Sequence, residues 1–76
     1  MNCAKEVGQR LKQARTNAGF TQREVGEKLG MTQSHYARYE MGIVELNYEK
    51  IIFLCKLFQT SADFLFDLEE QFYRKS

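Results

Sequence analysis

The sequence predicts an all-α fold, and three observations predict it. Proline is absent from all 76 residues, which removes the strongest helix breaker. Apolar residues recur at helical spacing along most of the chain, with no alternating strand pattern. Residues that cap helix starts, Thr21, Thr32, Asn47 and Ser61, stand ahead of those stretches. A hydrophobic fraction of 43% suits a globular domain, and this length is near the small end of what folds alone. One domain over 1–76 with one modest core is expected, built from helices at about 3–18, 22–29, 33–41, 48–58 and 62–73.

The first helix is read from AKEVGQRLKQARTNAG, where Val7, Leu11, Ala14 and Ala18 fall at i, i+4, i+7 and i+11. Lys5, Arg10, Lys12 and Gln13 occupy the rest of the cylinder, and Gly19 supplies the C-terminal stop. Phe20 then drops toward the core. Thr21 followed three residues later by Glu24 forms a capping box for the second helix, with Val25 and Leu29 inward. Gly30 arrives after about two turns, and Thr32 caps a third helix that runs to Gly42 with Tyr36 and Tyr39 inward. After the IVEL segment, Asn47 caps a fourth helix in which Ile51, Leu54, Cys55 and Phe58 repeat at i, i+3, i+4 and i+7. Ser61 opens the fifth, whose Phe64, Leu65, Leu68 and Phe72 share one face.

A short helix, a glycine turn and a second short helix make a helix-turn-helix unit, here at about 21–40, and in such units the second helix enters the DNA major groove. Gly26 gives up about 1 kcal/mol of helix propensity relative to Ala, which implies close packing where the two helices cross. Gly30 supplies a left-handed turn conformation that other residues resist. Val25, Leu29, Met31, Tyr36 and Tyr39 form the apolar underside.

Charge is divided along the chain. Residues 1–40 carry seven basic side chains against four acidic ones, whereas residues 41–76 carry four against six. The basic end can face a polyanion, although a difference this small is weak support. No apolar run reaches the ~18 residues that span a membrane, and the N-terminus lacks a signal-peptide core, so a cytoplasmic protein is expected. Cys3 and Cys55 show no metal-ligand or disulfide spacing, Cys55 reading as a core residue and Cys3 as an exposed bystander. With His35 they form no nucleophile–base pair or metal cluster, so neither enzyme nor cofactor is expected.

The stretch GFTQREVGEKLGMTQSHYARYEMG resembles the phage-repressor helix-turn-helix regulators, the Cro and lambda-repressor group also called the XRE family. The resemblance covers roughly residues 7–66, and FLCKLFQTSADFLF is similar to the family's fourth helix and the start of its fifth. It implies a compact five-helix lambda-repressor-like domain that binds double-stranded DNA. Carried over residue by residue, it implies phosphate contacts from Gln22 at the start of the second helix, with Thr21 and Lys28 assigned to the same backbone-facing group. Gln33, Ser34, His35 and Arg38 match the base-reading face, where a Gln can pair bidentately with adenine and an Arg with guanine. Arg15 and Glu40 match a structural ion pair between the first and third helices. The family's basic residues and proline after the third helix are replaced by MGIVELNYEK, and with them goes the basis for a phosphate clamp.

Blander readings stand beside these. Thr21 and Gln22 can serve only as capping residues, and the outer face of the third helix can be an ordinary solvated surface. The leading expectation is a sequence-specific transcriptional regulator, a repressor that binds a palindromic operator as a homodimer, with Phe66, Tyr73, Ile52 and Phe53 as dimer contacts. The competing expectation takes the same exposed apolar residues as a docking surface and the chain as a protein-interaction module, such as the partner-binding half of a toxin–antitoxin or antirepressor system.

Overall fold

In the computed structural model, which describes residues 3–66, the chain forms five helices and, among those residues, no strand. They are α1 Cys3–Ala18, α2 Gln22–Lys28, α3 Gln33–Met41, α4 Tyr48–Phe58 and α5 Ala62–Phe66. The expected positions 67–73 of the fifth helix, with Leu68, Phe72 and Tyr73, lie outside the described residues. None of these helices is long and apolar enough to cross a membrane.

Each helix delivers one fully buried side chain to a common centre: Leu11, Val25, Tyr36, Leu54 and Leu65. Ala14, Tyr39 and Phe58 complete the buried core. Burying a side chain of this size stabilises by about 1.5–3 kcal/mol relative to leaving it in water. Phe20, Leu29, Met31, Cys55 and Phe64 pack against the core from its edge, and the Phe20 and Phe58 rings meet at 5.8 Å. Cys55 is therefore half-buried, and burial pushes its thiol above the usual range. Cys3 is exposed.

The first helix departs from its expected apolar face at one end. Ala18 is exposed and lines an open cleft with Phe20, Leu57, Phe58 and Gln59, because the last turn of α1 runs beyond the core. Val7 is only partly buried, while Gly8 and Arg15 are buried in its place. At Gly8 the reason is steric: an added Cβ would lie 2.4 Å from the Glu40 carbonyl oxygen and 2.6 Å from that of Tyr39. The backbone of α1 thus approaches the end of α3 as closely as a glycine permits. α3 is held between α1 and α2 as a result.

The helices end on local devices. Gly19, Gly30 and Gly42 all take positive φ, and each is followed by a backbone N–H that reaches five residues back. α4 uses Gln59 in the same left-handed role, at φ 54° and ψ 47°.

Candidate nucleic-acid interface

The geometry of α3 is set first by its entry. Thr21 carries both halves of the capping box, its Oγ1 accepting from Glu24 N at 3.0 Å and its N–H donating to Glu24 Oε1 at 2.8 Å. α2 stops at Lys28, with Leu29 as its C-cap. Gly30 at φ 74° then reverses the chain, and Met31 N donates to Gly26 O at 2.9 Å. The crossing is close at Gly26, where a Cβ would sit 3.0 Å from Met31 O and 3.1 Å from Thr32 O. Thr32 caps α3 by accepting from His35 N at 3.1 Å.

This entry divides α3 into two faces. Tyr36, Tyr39 and Glu40 are buried beneath, whereas Gln33, Ser34, His35 and Arg38 are all exposed. Gln33, Ser34 and His35 share the first turn, and Arg38 follows one turn after Ser34 and His35. His35 lies parallel to the Tyr39 ring at a centroid distance of 6.0 Å, which steadies its outward position.

Beneath that face lies a buried polar cluster. Glu40 and Arg15 are each only 7% exposed. Arg15 Nε donates to Glu40 Oε2 at 2.6 Å and Nη2 to Oε1 at 3.2 Å, while Nη1 donates to the Phe20 carbonyl at 2.7 Å. The Tyr36 hydroxyl donates to Glu40 Oε2 at 2.7 Å. Burial alone pushes the Glu40 carboxyl up, but hydrogen bonds from Arg15, Gln22 and Tyr36 outweigh it and hold the group below the usual carboxylate range. The bond to Glu40 raises Arg15 against the opposing effect of burial. Burial first, and the Glu40 carboxylate second, raise Tyr36 far above an ordinary phenol. Every buried side-chain polar atom among the described residues has a hydrogen-bond partner.

The cluster extends outward through Gln22. Its Nε2 donates to Glu40 Oε1 at 2.9 Å, and its Oε1 accepts from Gln33 Nε2 at 3.3 Å. Gln22 and Gln33, eleven residues apart, thus meet at the adjacent starts of α2 and α3. The sequence assigns Gln22 to a backbone contact and Gln33 to base reading without joining them. Nor does it reveal the tyrosine hydroxyl at Glu40, since Tyr36 reads there only as an inward apolar residue. Its i,i+4 spacing from Glu40 is the available signal.

The remaining assigned residues are spread more widely. Lys28 is exposed at the far end of α2 with its Nζ 6.0 Å from the Phe20 ring centroid. Ile52 and Phe53 are exposed on α4 and Phe66 at the end of α5, with relative exposures of 56%, 40% and 37%. Tyr73 lies outside the described residues. Ile43 and Tyr48, to which the sequence assigns no role, are more exposed still.

Comparison with known proteins places this geometry in context. A family model described as helix-turn-helix matches residues 11–65. The SPbeta prophage-derived HTH-type transcriptional regulator YonR of Bacillus subtilis is 36% identical over 70 residues, an alignment covering 83% of this chain and 65% of that protein. The HTH-type transcriptional regulator ImmR of the same organism is 34% identical over 64 residues, covering 84% of this chain and 50% of its own. The chain therefore spans between half and about two thirds of the length of these relatives.

Proposed function

Because the chain belongs to the helix-turn-helix family, we propose that it is a DNA-binding transcriptional regulator whose α3 reads base edges in the major groove. The observation that carries the reading is the two-faced α3, with a buried polar and aromatic underside that fixes it and four hydrogen-bonding side chains outward. Gln33, Ser34, His35 and Arg38 face the bases in this reading. Thr21, Gln22 and Lys28 face the phosphates. Both curated relatives described above are named as transcriptional regulators, which supports the same assignment.

The finer reading is repression at a palindromic operator in the cytoplasm, with no cofactor and no enzymatic step. One domain offers one recognition helix, and two copies on half-sites one helical turn apart double the base contacts. Phe66, Ile52 and Phe53, together with Tyr73, are the assigned dimer contacts. The alternative in which the fold holds a protein partner draws on the same residues, of which Ile52, Phe53 and Phe66 are exposed.

Selecting bound duplexes from a random pool, then titrating salt against the selected sequence, separates the two. The regulator reading predicts an enriched palindrome and an affinity that falls steeply with salt, since phosphate contacts release counterions. A pool that yields no enriched sequence, or salt-insensitive binding, moves the protein-partner reading ahead.

A further inference from the structure

An apolar groove of about 250 Å³ opens where α1 begins, with walls from Val7 of α1, Tyr39 of α3, Leu46 ahead of α4, Tyr48 and Ile51 of α4, and Phe66 of α5. Two exposures belong to it. Val7 stands on the apolar stripe of α1 yet is only partly buried, and Tyr48 at the rim is 85% exposed. An apolar cavity of about 150 Å³ takes a benzene ring, so this groove has room for an aromatic side chain and part of an aliphatic one.

We propose that the occupant is the chain's own segment 67–76, which lays Leu68 and Phe72 into the groove, sets Arg74 and Lys75 against Glu45, and so closes a strap across the end of α3. The segment leaves from Phe66, itself a wall of the groove. Leu68 and Phe72 stand three and seven residues after Leu65, the buried residue of α5, so helical spacing carries them along the same face. At full extension Phe72 still lies within about 20 Å of Phe66, and it reaches the groove in either conformation. Charge sets the register. Glu45 lines the groove and Glu49 follows on α4, both exposed, while the basic residues Arg74 and Lys75 come directly after the aromatic pair Phe72 and Tyr73. Asp67, Glu69 and Glu70 precede that pair and are kept from Glu45 by like charge. Exposed ion pairs add little, so the apolar side chains carry the affinity. A tether this short holds the segment at an effective concentration on the order of millimolar, which a second copy in dilute solution does not match.

Cys3 lines the same groove, and its thiol reports whether the strap is seated. Cys55, packed against the core, reports unfolding. Modification of each thiol by a small maleimide is followed by mass spectrometry in the 76-residue chain at two protein concentrations. Wild type, Phe72→Ser, Tyr73→Ser and the Arg74→Glu/Lys75→Glu pair are compared. Phe72→Ser is expected to speed Cys3 modification about tenfold with Cys55 unchanged, the opening expected when the burial of one aromatic side chain is lost. The charge-reversed pair speeds it about two- to fivefold. Tyr73→Ser leaves it unchanged, since Tyr73 falls off the face that Leu65, Leu68 and Phe72 share. If Phe72→Ser unfolds and speeds both thiols, the charge-reversed pair, which removes no aromatic side chain, decides. A Cys3 rate unmoved in folded Phe72→Ser, or unmoved in the charge-reversed pair, overturns the strap. Protection of Cys3 that grows with protein concentration seats a second copy in the groove and overturns the intramolecular occupant.

Discussion

At the scale of single residues, Glu40 is the side chain on which most of the polar interior depends. Removing it leaves Arg15 buried without its counter-charge, so Glu40→Ala is expected to destabilise the domain by about 3–5 kcal/mol. Glu27 pairs with Arg23 at 3.5 Å on the solvated face of α2, and Glu27→Ala should cost less than about 0.5 kcal/mol. Thermal melts of the two variants check this, and equal melting temperatures would refute it. The depressed Glu40 carboxyl also gives stability a pH dependence of known sign. Its contribution is complete above the ordinary carboxyl pKa of about 4.3 and is lost as pH falls through the lower folded value, because the unfolded chain binds the proton more readily. The stability difference between the wild type and Glu40→Gln should therefore narrow on acidification below about pH 4. A difference unchanged down to about pH 2 would contradict the assignment.

At the scale of helices, local chemistry is legible in the sequence and long-range contact is not. Thr21 with Glu24, and Gly30 at the turn, are written in adjacent residues and take the expected capping and left-handed roles. The stop of α4 escapes because Gln59, not a glycine, takes the left-handed position. Gly8 escapes for a different reason, since nothing near it in sequence says that the end of α3 will lie across it. Arg15 and Glu40 are paired through family resemblance, because no spacing rule joins residues 25 apart. The tie from Glu40 through Gln22 to Gln33 needs all three helix positions at once. The two packed glycines yield a prediction in which sterics and propensity oppose each other. Propensity alone favours alanine by about 1 kcal/mol at either site. At Gly8 a Cβ meets rigid backbone at 2.4 Å, and overpacking of about 1–3 kcal/mol wins, so Gly8→Ala destabilises. Contacts of 3.0 Å and more at Gly26 ask only a small shift of the turn, and Gly26→Ala should be close to neutral. Denaturant titration of both variants measures the difference.

At the scale of the whole molecule, assembly and charge decide how the reading face is used. Phe66 is exposed beside the buried Leu65, and the assigned two-fold contact runs through it. Phe66→Glu is expected to give a folded monomer whose binding to a two-half-site duplex is at least about tenfold weaker, the loss expected when two linked half-sites become independent. Sedimentation equilibrium checks the mass, and a variant that stays dimeric would move the interface toward Ile52 and Phe53. The basic half of the chain carries α1 to α3, so the same end of the sequence holds the assigned DNA contacts and the excess positive charge.

The central claim, that the outer face of α3 reads DNA, is tested most directly by titrating Gln33→Ala and Arg38→Ala against the selected operator and a scrambled duplex at two salt concentrations, with Lys28→Ala alongside. Each α3 variant is expected to lose about 1–3 kcal/mol on the operator and almost nothing on the scrambled duplex, so that the specificity ratio collapses. Lys28→Ala should weaken both duplexes alike and reduce the salt slope by about 1. Operator preference left intact by both Gln33→Ala and Arg38→Ala would contradict the account and make α3 a solvated face.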